Sequence, residues 1–273
     1  KIGETSDCPI FSGVYTFSQI SAGGSMDCAQ LINDGQHNIC INWAGGLHHA
    51  KKSEASGFCY VNDIVLCILE LLRYHPRVVY IDIDVHHGDG VEEAFFCTNR
   101  VMTVSFHQYG KDFFPGTGHH DSVGEGEGKG YSLNVPLYPG INDQMFIELF
   151  QNVMTQVIDK YRPDAIVMQC GADSLNEDKL GQFNLSTHGH GECVDFILKQ
   201  GIPLILLGGG GYTIENVSRC WTYETSIALG QKLDNKLPPN EYSNEYSSAY
   251  LHLEANPHME NKNPKEHIEK LTI

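Results

Sequence analysis

Six short apolar runs, rich in β-branched residues, recur along the chain at Asn38–Trp43, Arg77–Ile83, Val101–Phe106, Ser132–Leu137, Ala165–Cys170 and Pro203–Leu207. They are near-continuous rather than alternating, the pattern of strands buried on both faces. Between several of them, apolar residues return at three- and four-residue spacing over Val61–Tyr74, Asp143–Tyr161, Glu192–Gln200 and Glu215–Leu229. These stretches predict helices, two stopping before Pro76 and Pro163 and two at Gly201 and Gly230. Strands alternating with helices predict an α/β fold, a mostly parallel sheet with helices on both faces. No internal repeat or low-complexity linker interrupts the pattern, so residues 1–273 read as one domain. Residues 232–273, with Pro238-Pro239 and scattered Asn, Tyr and Ser, read as a peripheral wrap, and Gly116–Gly130 as a glycine-rich loop. The start at Lys1 reads as loop and, without a methionine, as part of a longer translation product.

Composition narrows the function. The 273 residues include 18 basic and 34 acidic side chains, a net charge of −16, with 41% hydrophobic residues. That suffices for a large core. No apolar run approaches the roughly 18 residues of a membrane span, and no signal-peptide pattern opens the chain. A phosphate-tracking protein needs a basic face, so direct nucleic-acid binding is disfavoured. The acidic excess lies mostly in residues 1–231 and suits a basic partner or substrate, although solubility alone accounts for many acidic proteins. Nine cysteines with no C-x-x-C pair predict free, largely buried thiols in a reducing compartment. Any metal is then to be held by histidine and carboxylate.

In open α/β sheets, ligands bind beyond the carboxyl ends of the strands. Four polar clusters follow strand ends here: Ala44–His49, Asp84–Gly90, Gly171–Ser174 and Gly208–Tyr212. In extended chain, side chains two apart share a face, so Asp84 and His86 can aim at one ion, with Asp173 arriving from another strand. Two carboxylates and an imidazole leave a position open for water, as a catalytic metal site requires. An isolated Asp-x-His would be read as a capping Asp and a surface His. Here Asp82, Asp89 and the His48-His49 pair need explaining too. The sequence Asp173-Ser174-Leu175-Asn176 supplies no second ligand pair, which favours one metal. Zinc suits three N/O ligands plus water, and iron(II) accepts the same set.

His48 and His49 can each donate a ring N–H to a carboxylate, Asp82 and Asp89 being the available partners. A neutral imidazole could then take a proton from metal-acidified water and return it to a leaving amine. Gly208–Gly211 lacks the phosphate-cradle spacing, and instead lets backbone approach closely while Tyr212 offers a hydroxyl to a carbonyl oxygen. Taken alone, Tyr212 would equally be a half-buried packing residue. Gly57-Phe58 and Phe113-Phe114 are either core or rings lining a channel for an aliphatic stem. His119, His120, His188 and His190 read as solvated loop residues.

The stretches Asn42–Lys52, Ser56–Asp63, Asp82–Gly90, Phe113–Gly118, Gly171–Ser174, Gly208–Tyr212 and Arg219–Thr225 together resemble a class I histone deacetylase over nearly the whole chain. The resemblance implies the three-layer arginase/deacetylase fold and zinc-dependent hydrolysis of N-acetyl-lysine. It makes Asp84, His86 and Asp173 the zinc ligands, His49 the general base and acid, and His48 its electrostatic partner, with Asp82 and Asp89 orienting the two. Tyr212 becomes the carbonyl-polarising hydroxyl, Gly57, Phe58 and Phe114 the tunnel walls, and Asp7 a rim residue for substrate backbone. It further implies structural potassium at Asp82, Asp84, His86, Ser105 and Phe106, and again at Phe95, Thr98, Val101 and Tyr131. Acetylated histone tails or other acetyl-lysine proteins are the implied substrates, corepressor subunits the partners, and the nucleus the location, with the cytoplasm as alternative.

Three departures qualify this. The family's N-terminal part, with its first strands and a Pro-His-Arg loop, is absent, which would expose sheet edge. Positions that bind inositol polyphosphate through basic residues hold Lys179 and Glu215, and an acid facing phosphates counts against that ligand. His119-His120 replaces an acidic residue after Gly118. Rival readings are deacylation of acetylpolyamines or longer acyl-lysines, and a catalytically silent corepressor scaffold.

Overall fold

The computed structural model describes residue 3 and residues 6–271; Lys1 lies outside them. Six strands form one sheet: β1 (Ile39–Asn42), β2 (Val78–Asp82), β3 (Val101–Gln108), β4 (Ser132–Leu137), β5 (Ala165–Gln169) and β6 (Leu204–Leu207). They lie in the order β1-β6-β5-β2-β3-β4, every pair parallel. Central strands β2, β5 and β6 are buried at every position, which is why their sequences do not alternate.

Two apolar clusters divide the side chains of these strands by parity. Val79 and Ile81, Ile166 and Met168, and Leu204 and Leu206 point to one face. There they meet Phe146, Phe150 and Val153 of α4 (Asp143–Tyr161) and Val194 and Ile197 of α5 (Thr187–Leu198). Val78 and Tyr80, Ala165 and Val167, and Ile205 and Leu207 point to the other. They pack on Cys28, Ala29 and Ile32 of α1 (Val14–Asn33), Ile64 and Ile68 of α2 (Asp63–Leu71), and Val91 and Phe95 of α3 (Asp89–Phe95). The result is three layers, helix–sheet–helix, as the strand pattern predicts. Asn62, Asn142 and Ser186 cap α2, α4 and α5 by accepting the amides of Val65, Met145 and Gly189.

Helix α4 falls on its predicted bounds. Four helices depart from expectation. The opening stretch read as loop becomes α1 from Val14, because its buried face is Ser18, Ser21, Ala22, Ser25, Cys28 and Ala29 while Tyr15 and Ile20 stay exposed. Helix α5 begins five residues early, at Thr187, with Ser186 and Asp143 holding its first turn through bonds of 2.8 and 2.6 Å. The short α3 was not anticipated. Beyond α6 (Ile214–Ala228), segment 232–264 is irregular and is tied down by Glu215, which accepts the Ser247 amide (2.7 Å), and Arg219, which donates to the carbonyls of Ser248 and Tyr250 (3.0 Å each). It ends in a helix not expected in a wrap, α7 (Lys265–Leu271). The nine cysteines are free thiols, all buried except Cys97.

Phe150 is fully buried between Phe106 and Phe146, with ring centroids 5.1 and 6.4 Å away. Phe150→Ala should therefore destabilise the fold by about 3–5 kcal/mol, measured by urea unfolding. A loss below about 1 kcal/mol would remove α4 from the account of the core.

Candidate active site

Because β1, β6, β5 and β2 are adjacent and parallel, the loops leaving their carboxyl ends emerge side by side. These loops carry every residue of the predicted metal set. His86 Nδ1 lies 3.1 Å from Asp84 Oδ1 and 3.0 Å from Asp173 Oδ2, and all three side chains are buried. Separations near 3 Å suit three ligands each roughly 2 Å from a shared ion. Backbone amides fix the carboxylates from behind. Val85 N donates to Asp173 Oδ1 and Gly210 N to Asp84 Oδ2, both at 2.9 Å, and Gln169 Nε2 donates to the same Asp84 oxygen at 2.9 Å. A Cβ at Gly171 would overlap Asp84 Oδ2, and one at Gly210 would overlap Asp173 Oδ2. Burial and the neighbouring Asp84 carboxylate push the Asp173 pKa up, while Asp84 stays well below the usual range because His48 and His86 outweigh its burial. Two enclosed carboxylates repelling one another are short of positive charge, and a cation fits that deficit.

Two histidine–carboxylate pairs stand beside this triplet. His48 Nδ1 lies 2.7 Å from Asp82 Oδ2, which also accepts from Tyr80 OH at 2.6 Å. His49 Nδ1 lies 2.7 Å from Asp89 Oδ1, whose other oxygen is 2.6 Å from Lys51 Nζ. Burial opposes charge on His48, but Asp82 and Asp84 prevail and raise its pKa to about 9. Burial and then the charge on His48 drive His49 the other way, to about 4, against the pull of Asp89. At neutral pH, His48 is thus an imidazolium and His49 a neutral ring. Since a carboxylate accepts, His49 donates from Nδ1 and keeps a bare Nε2.

A cavity of about 140 Å³ leads to these groups, lined by Asp7, His49, Gly57, Phe58, His86, Phe114, Leu180 and Tyr212. Gly57 N donates to Asp7 Oδ2 (2.6 Å), and a Cβ at Gly57 would overlap the His49 ring. The Phe114 ring stands edge-on to His49 at 4.9 Å, and Phe58 edge-on to Tyr212 at 5.9 Å. Both phenylalanines are partly exposed, so they line the opening rather than fill the core. Burial, then the Asp173 and Asp84 carboxylates, raise the Tyr212 pKa far above its ordinary value, so its hydroxyl remains a donor. A larger cavity, about 730 Å³ among Arg77, Arg100, Lys129 and Lys160, lies at the opposite strand ends and is lined by no comparable acid–base set.

Comparison with protein families matches residues 1–228 to the histone deacetylase domain. The chain belongs to the histone deacetylase family. It is 58% identical to Type-1 histone deacetylase 1 of Dictyostelium discoideum over 100% of this chain and 55% of that protein. It is 59% identical to Histone deacetylase 1 of Oryza sativa (99% and 52%) and 58% identical to Histone deacetylase 19 of Arabidopsis thaliana (99% and 54%). The chain spans about half the length of these relatives.

Within this histone deacetylase domain, several supporting residues escaped sequence reasoning. Phe113 stacks flat on His86 (5.2 Å, 8°), and Asp178 accepts the Tyr212 amide at 2.8 Å. Asp63, fully buried on α2, accepts the amides of Gly46 (3.0 Å) and Leu47 (2.8 Å) and so secures the loop ahead of His48-His49. The sequence leaves Phe113 open between core and channel wall and does not foresee its stack on His86; nothing in local spacing marks Asp178 or Asp63, which meet the site only through the fold. Two readings need correction: His190 is no solvated loop residue but lies fully buried on α5 against Glu224, and His188, though exposed, sits in the first turn of α5 rather than in a loop; His119 and His120 are exposed.

The implied potassium residues are placed as follows. Register sets Asp82 beside Ser105, with Phe106 following on β3. In the second group, the Phe95 carbonyl accepts from Thr98 N (3.2 Å) and the Tyr131 carbonyl from Thr103 N (3.0 Å), while Val101 opens β3.

Behind His86, Glu92 Oε1 accepts from Ser132 Oγ (2.5 Å), Asn134 Nδ2 (2.6 Å) and Ser122 Oγ (3.2 Å). Burial raises its pKa, but His87 and these donors prevail and hold it near 2 rather than 4.5. A depressed pKa stabilises the fold above pH 4.5, and the stabilisation disappears as pH falls from 4.5 toward 2. Wild type should lose about 3 kcal/mol relative to Glu92→Gln over that window, measured by urea unfolding at each pH. Parallel curves for the two proteins would contradict the assignment.

Proposed function

We propose that this chain is the catalytic domain of a zinc-dependent protein lysine deacetylase, residues 1–273 forming one unit and residues 232–273 its wrap. The reading rests on one observation above all: His49, its Nδ1 paired with Asp89, stands beside the Asp84–His86–Asp173 triplet at the floor of a narrow aromatic opening. The donors O, N and O suit zinc, and iron(II) accepts the same set. Asp84, His86 and Asp173 would hold the ion, which would supply Lewis acidity toward the acetyl carbonyl and a water.

The protein's own groups do the rest. Gly57, Phe58 and Phe114 frame the aliphatic stem of acetyl-lysine and exclude water from it, and Asp7 at the rim meets the substrate backbone. His49 Nε2 takes the proton of the attacking water as its oxygen bonds to the acetyl carbon. Asp89 holds the ring in the required tautomer and stabilises the imidazolium that forms. Tyr212 donates to the acetyl oxygen as negative charge develops there. His49 then gives its proton to the lysine nitrogen as the C–N bond breaks, leaving acetate and a free amine. His48, kept cationic by Asp82, contributes fixed positive charge beside the developing oxyanion.

Histone tails are the proposed substrates, since the relatives are named histone deacetylases and an acidic surface attracts lysine-rich peptide. Nuclear location, corepressor partners and the two potassium sites follow from the resemblance. Inositol polyphosphate does not, because Glu215 adds negative charge at its position and is already bonded to Ser247.

Tyr212→Phe in the zinc-loaded chain should lower kcat on an acetyl-lysine peptide by roughly 10²–10³, the scale for one oxyanion donor, with KM little changed. Wild-type turnover in that variant would remove Tyr212 from the mechanism. The kcat/KM values on acetyl-lysine, crotonyl-lysine and acetylspermidine should rank the first highest; a reversed order would replace protein deacetylation with the rival acyl substrate.

A further inference from the structure

Besides the two pairs facing the cavity, another histidine–carboxylate pair lies wholly inside the fold. His190 on α5 and Glu224 on α6 are fully buried, with Nδ1 and Oε1 2.5 Å apart and Cys220 Sγ 3.4 Å from the same nitrogen. These three side chains resemble a second metal triplet in composition. Here, however, Nδ1 and Oε1 are close enough for a direct, charge-assisted hydrogen bond.

The other ring nitrogen identifies what the pair holds. His190 Nε2 lies 3.0 Å from the carbonyl oxygen of Gly171. A carbonyl only accepts, and so does the Glu224 carboxylate, so the ring donates from both nitrogens, Nε2 to Gly171 and Nδ1 to Glu224. The same carbonyl accepts Ser174 Oγ at 3.2 Å, and the preceding Cys170 carbonyl accepts Trp221 Nε1 from α6 at 2.8 Å. Gly171 lies directly against one carboxylate of the metal triplet, Asp84, and two residues ahead of the other, Asp173. Its α-carbon leaves no room for a Cβ. Meanwhile Glu224 Oε2 is buried without a hydrogen-bond partner, an arrangement that costs stability. A polar group held at such a cost, aimed at the backbone beneath the site, asks for a reason beyond core filling.

We propose that His190 and Glu224 are positioning residues: Glu224 orients the imidazole, its Nε2–H fixes the Gly171 carbonyl, and that carbonyl sets the separation of Asp84 and Asp173. The inference rests on the metal-site reading above. Neither residue lines the substrate cavity, and neither needs to change protonation for this.

Co²⁺ titration of the full chain tests it, reading the dissociation constant and the visible d–d bands, with thermal unfolding of the metal-free protein in parallel. Glutamine places an N–H near the position of histidine Nε2; leucine does not. His190→Leu should weaken Co²⁺ binding at least roughly ten-fold and shift the bands, and His190→Gln should restore most of the affinity. A folded His190→Leu with wild-type affinity and bands would overturn the proposal, as would His190→Gln no better than leucine at equal thermal stability. If His190→Leu does not fold, Glu224→Gln decides: weakened Co²⁺ binding with altered bands supports the proposal, and unchanged binding overturns it. Should wild type itself take up no Co²⁺, the metal-site reading fails and carries this one with it. A wild type that binds while every folded variant binds equally well defeats the positioning role alone.

Discussion

Two carboxylates, Asp84 and Asp173, share one buried imidazole, and most of the molecule serves to keep them there. Like charges a few ångströms apart in a low-dielectric interior repel strongly and are normally relieved by protonation or by a cation. Here the backbone amides of Val85 and Gly210 and the side chain of Gln169 hold both in place. That requires three strand ends to converge within a few ångströms, which a parallel sheet ordered β6-β5-β2 provides. It also requires glycine at 171 and 210, where any side chain would occupy the carboxylates' own space. The flat, fully buried strands and the glycine-rich loops are thus two consequences of one electrostatic demand.

The adjacent histidines show how neighbours, not residue type, decide chemistry. His48 and His49 have ring centroids only 4.0 Å apart and nearly equal burial. Each has its own aspartate, yet Asp82 and Asp84 outweigh burial at His48, whereas at His49 burial and the charge on His48 prevail over Asp89 and Asp84. One ring supplies positive charge and the other a lone pair. The cavity above is narrow and aromatic, so an extended aliphatic chain fits it better than a bulky or multiply charged group.

Much of this was legible in the sequence. Central strands announce themselves through unbroken β-branched runs, and Asp84, His86, His48 and His49 through spacing next to strand ends. Helix α1 was not legible because its pattern is inverted: serine and alanine face in, where small residues let helix approach sheet, while tyrosine and isoleucine face out. His190 was misread for a related reason. Gly189 and Gly191 flank it, and glycines signal loop, yet Gly191 is wedged against Tyr223 and Ile227, where a larger side chain would clash. Asp63 and Asp178 gave no signal, because their partners lie elsewhere in the chain and meet them only after folding.

Turnover of an acetyl-lysine peptide, followed as Zn²⁺ is titrated into the metal-free chain, tests the central claim most directly. The account requires activity to rise in proportion to zinc and to level off at about one ion per chain, with substitution of Asp84 or Asp173 abolishing both binding and turnover. Acetate release that is independent of zinc, or tight zinc binding that survives loss of both aspartates, would contradict it.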